Sequence, residues 1–349
     1  MTYRFRCSLA GSLLVLFSVL AGCGPSGGNE DQSSSEEDVD ESPPAAEPAE
    51  ATLAEEPAGR VVEVGNGPEG IVADPATGLV AVGLREPAEL ALVDGDSGEV
   101  LQSVELPEAP RHLGLADPGG PVLVPAESGA GSLVQVGLPE GEVVAETAVG
   151  TIPHDAASAP NGRIFVANEF SDTLSVIEDG DEVETVEAPQ QPGGVAVTSD
   201  GAVGVLGVKS LTLEVFDSDT LESLGTLDAG DGPTHLVAGP DDRFYVTDTR
   251  GGSILVYEAR PEPELLYSFP LPGSPYGIDV DPERGHLWVT LTAENRVVQF
   301  VLEEDALREL ASYSTVAEPN TVAVNTANGR VFVTGGMDGE LQILDPRSG

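Results

Sequence analysis

Four histidines occur in the chain, and three of them follow a proline closely: Pro110-Arg111-His112, Pro153-His154-Asp155 and Pro233-Thr234-His235. Neutral imidazoles together with a carboxylate such as Asp155 are a donor set suited to zinc or copper. His112, His154, Asp155 and His235 are therefore candidate metal ligands. The positions after four further prolines read Glu69-Gly70, Gly193-Gly194, Tyr276-Gly277 and Asn320-Thr321. Arg111, Tyr276 and Asn320 would add a cation, a phenol and an amide, groups that orient a small polar ligand. Two observations weigh against a metal. No H-x-H spacing ties two ligands together locally, and loop histidines also serve by bonding backbone carbonyls and filling space. Catalysis has less support than binding. There is no P-loop and no H-E-x-x-H, and carboxylates are too numerous for one acid–base pair to stand out.

The elements that must carry these residues repeat. Marker prolines fall at 68, 110, 153, 192, 233, 275 and 319, spaced 39 to 44 residues apart. After each comes an apolar run, a turn such as SAPNG or VDPERG, a second strand such as IFVAN or LWVTL, a third such as LSVIE or VVQFV, and a more polar fourth. The strands are apolar on both faces, as in sheets sandwiched between other sheets. Seven such periods predict an all-β chain, a seven-bladed β-propeller over residues 59–349. A linear β-solenoid would need shorter repeats without hairpins. The last repeat stops after its third strand, Leu341 to Asp345, and an orphan strand, Val61 to Val64, precedes the first. If the orphan completes the last blade, the ring is sealed. In this arrangement the residues after each marker proline ring one mouth of the central channel. The loops between second and third strands bring Glu127, Asn168, Glu169, Asp248, Arg250 and Asn295 to the same face. Asp279 interrupts an apolar inner strand, either as a channel ligand or as an acceptor for N–H groups between blades. His286 is expected in a solvated turn on the opposite face.

Phe165-Val166-Ala167-Asn168 with Leu174-Ser175-Val176-Ile177, and Tyr245-Val246-Thr247-Asp248 with Ile254-Leu255-Val256-Tyr257, resemble the YVTN repeat. Leu287-Trp288-Val289-Thr290 and Val331-Phe332-Val333-Thr334 are similar. The blade over residues 188–227 departs most, with Gly204-Val205-Leu206-Gly207 where an aromatic is usual. The resemblance implies a propeller and does not fix a function, since the motif residues are strand and turn positions. The architecture is similar to that of 6-phosphogluconolactonases, streptogramin lyases and amine-dehydrogenase-like subunits. It therefore implies two enzymatic alternatives: a metal-dependent lactonase or other hydrolase, and a lyase using His112, His154 and His235. No lyase motif matches residue by residue.

Residues 1–22 read as an export signal. Arg4 and Arg6 precede an apolar stretch from Leu9 to Leu20 that is too short for an ordinary membrane span. Leu20-Ala21-Gly22-Cys23 resembles a bacterial lipobox, which implies cleavage before Cys23 and a diacylglycerol on its sulfur, a stable anchor. Residues 24–58 are rich in Ser, Glu, Asp, Pro and Ala and contain no base. Such a segment is expected to be a disordered acidic spacer from Cys23 to the propeller. The two cysteines, Cys7 and Cys23, leave the propeller without a disulfide framework. With 60 acidic against 15 basic residues the formal charge is -45, which repels phosphate backbones and argues against nucleic-acid partners. The reading is an exported, membrane-anchored monomer, a non-enzymatic binding or scaffold module that takes a protein or small molecule at the channel mouth. A periplasmic metal carrier is a further alternative.

Overall fold

The structure, a computed structural model, describes residues 44–336 and 339–346. The signal segment, Cys23 and the first part of the acidic spacer lie outside the described residues. Within them the strands form seven four-stranded antiparallel sheets and no helix. In blade 3, for example, Pro153–Ser158, Ile164–Asn168, Thr173–Glu178 and Asp181–Glu187 lie side by side in chain order, from the channel outwards. The seventh blade breaks that order. Its outermost strand is Arg60–Glu63, antiparallel to Glu340–Leu344 with Arg60 opposite Ile343 and Glu63 opposite Glu340. The ring is thus closed by hydrogen bonds between the two ends of the chain, and the expected propeller is the observed fold.

The burial gradient explains the sequence pattern. Second strands such as Val122–Ala126 and Ile164–Asn168 are buried along their whole length, whereas the outermost Asp181–Glu187 is almost wholly exposed. The core lies between blades. Phe332 of blade 7 packs with Val80 and Val82 of blade 1, and Leu123 and Leu133 of blade 2 pack with Ile164 and Val166 of blade 3. Gly204, at the position where an aromatic is usual, faces the Phe244 ring of blade 5. A Cβ there would stand 2.9 Å from that ring, so blade 4 gives up its aromatic to seat its neighbour's.

Every marker proline except Pro110 opens an inner strand, and next to it the ladder register slips. Bulges fall between Pro153 and Asp155, Pro192 and Gly194, Pro233 and His235, and Pro319 and Thr321. A bulge re-aims the side chains beside it, here towards the mouth. Blade 2 goes further. Its inner strand is only Gly114–Leu115, with an isolated bridge from Pro110 to Ala126. Arg111 and His112 are left free of the ladder, and the His112 N–H donates instead to the His154 carbonyl of blade 3 at 3.1 Å.

Residues 44–58 differ from the expected spacer. They run without regular secondary structure, bending at Ala54–Glu55 and Ala58, along the mouth face, hydrogen-bonded to blades 5, 6 and 7. The physical reason is that the bonds use the segment's backbone. Ordering it therefore needs little of the apolar surface that the composition lacks, and only Ala46 is buried.

Candidate functional site

The mouth of the channel is walled by a row of alternating charges from blades 1 and 2. Arg85 pairs with Glu127 at 2.9 Å and with Glu69 at 3.1 Å, and Glu69 pairs with Arg111 at 3.1 Å. Burial works against the charge on Arg111, but Glu69 and Glu127, with Tyr276 and Glu169 behind them, raise its pKa. Behind this wall the rings stack. His112 lies against His154, with centroids 4.7 Å apart, and against His235 at 4.6 Å with the planes 29° apart. His235 meets the edge of Tyr276 at 4.7 Å. Blades 2, 3 and 5 are not all neighbours in the ring, yet their histidines touch. Blade 4 contributes Gly193 in between, where a Cβ would press on Val208 at 2.8 Å and reach His154.

Burial, reinforced by the nearby His112 and Arg111, holds His154 and His235 well below the ordinary histidine range, so both rings are neutral. His154 Nδ1 lies 3.1 Å from Glu169 Oε2. The neutral ring donates there, which leaves Nε2 as an acceptor. Burial also raises the Glu169 carboxyl, with Arg111 opposing. His235 is different: both its ring nitrogens are buried and neither has a hydrogen-bond partner. A cavity of about 330 Å³ lies above these rings, lined also by Glu127, Phe170 and Ala45–Glu47. Below them the channel opens into a second cavity of about 380 Å³, which His112 and His235 also line. The imidazoles are a floor between the two.

Of the residues expected here, Arg111, His112, His154, His235 and Tyr276 line one cavity. Asp155 and Asn320 do not. Asp155 accepts the N–H of Ala156 and, across the blade boundary, that of Val195, both at 2.9 Å. Its Oδ2 is 3.7 Å from His112 Nδ1, beyond hydrogen-bond length. Asp279 repeats the arrangement between blades 6 and 7, accepting from Val280 at 2.8 Å and Val324 at 2.7 Å, and burial pushes its carboxyl up to about 7. Both aspartates clip one blade to the next. Asn320 accepts from the Thr334 hydroxyl within blade 7. His286 stays clear of the mouth, with Nδ1 3.0 Å from Gln299 Nε2.

The donor atoms that converge are consequently not the four expected from the sequence. The described residues hold one cluster of metal-ligand type, Glu127, His154 and Glu169, whose ligand atoms lie within 4.8 Å of one another. One imidazole and two carboxylates suit zinc. However, Arg85 already holds an oxygen of Glu127, and Arg111 in the same cavity opposes a further cation. Glu127 and Glu169 sit in the loops that the strand register placed on this face. Phe170, 61% exposed on the rim, adjoins Glu169 and could have been read the same way. The segment over the mouth had no such signal.

No known protein-family profile matches the sequence, and no curated protein matches it. Solved structures with a similar fold exist. Hydrazine synthase from Kuenenia stuttgartiensis aligns with a TM-score of 0.70 at 16% identity, over 81% of this chain and 97% of that one. Virginiamycin B lyase from Staphylococcus aureus aligns with a TM-score of 0.65 at 17% identity, over 81% and 98%. A chain of the mitotic checkpoint complex aligns with a TM-score of 0.71 at 13% identity, over 86% and 98%. The three have different roles, so what they share with this chain is the β-propeller.

Proposed function

We propose that the chain is an exported, lipid-anchored binding module, tethered through Cys23, that seats a small polar ligand on the imidazole floor of its channel mouth. The observation that carries this reading is His235. A buried imidazole with no partner on either nitrogen is costly to the empty protein. A ligand bringing one donor and one acceptor would satisfy it, and Arg111 and the Glu169-bound His154 are placed to orient that ligand. The test compares the wild-type chain, from Gly24 onward, with His235→Phe in urea unfolding. The variant keeps the ring stack and loses the orphaned nitrogens. It is expected to be more stable by about 1–3 kcal/mol. It is also expected to lose any midpoint shift that a panel of small polar compounds confers on the wild type. A variant of equal or lower stability, with ligand shifts unchanged, would remove His235 from the site.

The Glu127–His154–Glu169 cluster favours a second reading, a metal-dependent hydrolase or a metal carrier. The lyase of similar fold adds a lyase to the enzymatic options. Zinc titration decides between binding module and metal protein. One zinc per chain, lost in Glu169→Gln, would replace the small-molecule reading. No zinc uptake would leave it in place.

A further inference from the structure

Residues 44–58 are held in an unusual way for a chain extension. Arg250 donates to the Pro44 carbonyl at 2.7 Å. The Ala49 N–H donates to Thr292 Oγ1 at 2.9 Å, and Asn295 donates to the Ala51 carbonyl at 3.0 Å. Ser314 donates to the Glu56 carbonyl at 2.8 Å, and Gln342 to the Ala58 carbonyl at 2.7 Å. Each of these bonds reads the backbone of the segment, and none reads its side chains. Side-chain selection enters at few points, one of them Ala58, which packs against the Trp288 and Val297 cluster at the end of the segment. Ala46 is the one buried residue of the segment, 7% exposed above the mouth, so that position demands a small side chain. Glu55 lies 3.5 Å from Arg296, which together with Arg250 favours an acidic strand.

Bonds to the backbone of an irregular chain, a small-residue seat and two arginines are the features of a peptide-binding groove. We infer that the rim of blades 5 to 7 is such a groove, occupied in cis by residues 44–58. Its ligand in trans is an acidic, Pro/Ala-rich segment of another protein, which enters by displacing them. Displacement is feasible because the resident segment buries so little: Leu53 is 47% exposed, and Glu50, Glu55 and Glu56 face solvent. It is also consequential, because Ala45–Glu47 cover the cavity over the imidazoles. A protein partner on the rim therefore replaces the cover of the mouth with its own segment. The groove goes beyond the small-ligand site and stands or falls without it, since its contacts lie on blades 5, 6 and 7 and not on His112, His154 or His235.

The experiment uses the chain from Gly24 onward and a fluorescent synthetic peptide of residues 42–58. In the wild type the resident segment competes at an effective concentration in the millimolar range, so the peptide binds weakly. The double variant Ala46→Asp, Ala49→Pro places a charge in the small seat and deletes the N–H given to Thr292. Both changes lie outside the blades. Hydrogen exchange over residues 44–58 verifies release, and unchanged thermal unfolding verifies the ring. The released variant is expected to bind the peptide at least tenfold more tightly than the wild type, and Arg250→Ala on that background to weaken it again. Equal binding to wild type and released variant, or none to the released variant at millimolar peptide, would overturn the inference.

Discussion

Single residues at the mouth contribute to the response to pH. His154 and His235 are neutral in the folded chain because burial, then the neighbouring His112, pushes their pKa down. In the unfolded chain they titrate near 6.5. Below that value the unfolded state binds more protons than the folded one, so these residues cost stability as the pH falls below 6.5 and cost nothing above it. Asp279, pushed up to about 7, and Glu169 act in the opposite sense, holding more protons when folded. From pH 6.5 to 5 the urea midpoint of His235→Phe is therefore expected to fall less, or rise more, than that of the wild type. An unchanged slope in the variant would mean that His235 is charged when folded. At this scale the sequence was half legible. Three histidines within two residues of a marker proline were visible in it, and the structure brings all three together. Asp155 looked like a ligand because it adjoins His154. Its two oxygens answer to Ala156 and to Val195, and the second lies on another blade at a distance along the chain that no local spacing reveals.

At the scale of strands and blades, aspartate clips and glycine seats determine how sheets meet. Asp155→Ala leaves two N–H groups without an acceptor and is expected to cost about 3 kcal/mol, since a carboxylate accepts each bond. If Asp155 is a clip, the same variant leaves zinc uptake, where there is any, unaltered. Gly204→Ala sets a methyl against Phe244, with an expected cost of about 1–3 kcal/mol by overpacking. Phe244→Leu on that background is expected to recover part of the loss, a pairing that denaturant midpoints of the single and double variants measure. Blade positions were legible because every repeat restates the same burial gradient. The segment 44–58 was not, because composition reports what side chains can bury, and this segment is held by its backbone.

For the whole molecule the closing strand is decisive. A chain that begins at Gly65 lacks Arg60–Glu63 and exposes the edge of Glu340–Leu344, an unpaired strand edge of the kind that templates aggregation. Its unfolding is expected to lose its single cooperative step, or its midpoint to fall by a wide margin, and light scattering to report association. For the proposed anchor, Cys23→Ser is expected to shift the protein from the membrane fraction to the soluble one without altering the circular dichroism of the propeller.

Residues 44–58 and 60–63 are consecutive in the chain, and this order makes them mechanical elements in series. A pull arriving from the N-terminal side meets the Pro44 end first. There the bonds to Arg250, Thr292 and Asn295 lie one behind another and are broken singly, as in a zip. The closing strand is reached only after the whole segment has peeled away. Tension therefore uncovers the mouth at a force below that which opens the ring, and the segment acts as a fuse that protects the seal behind it.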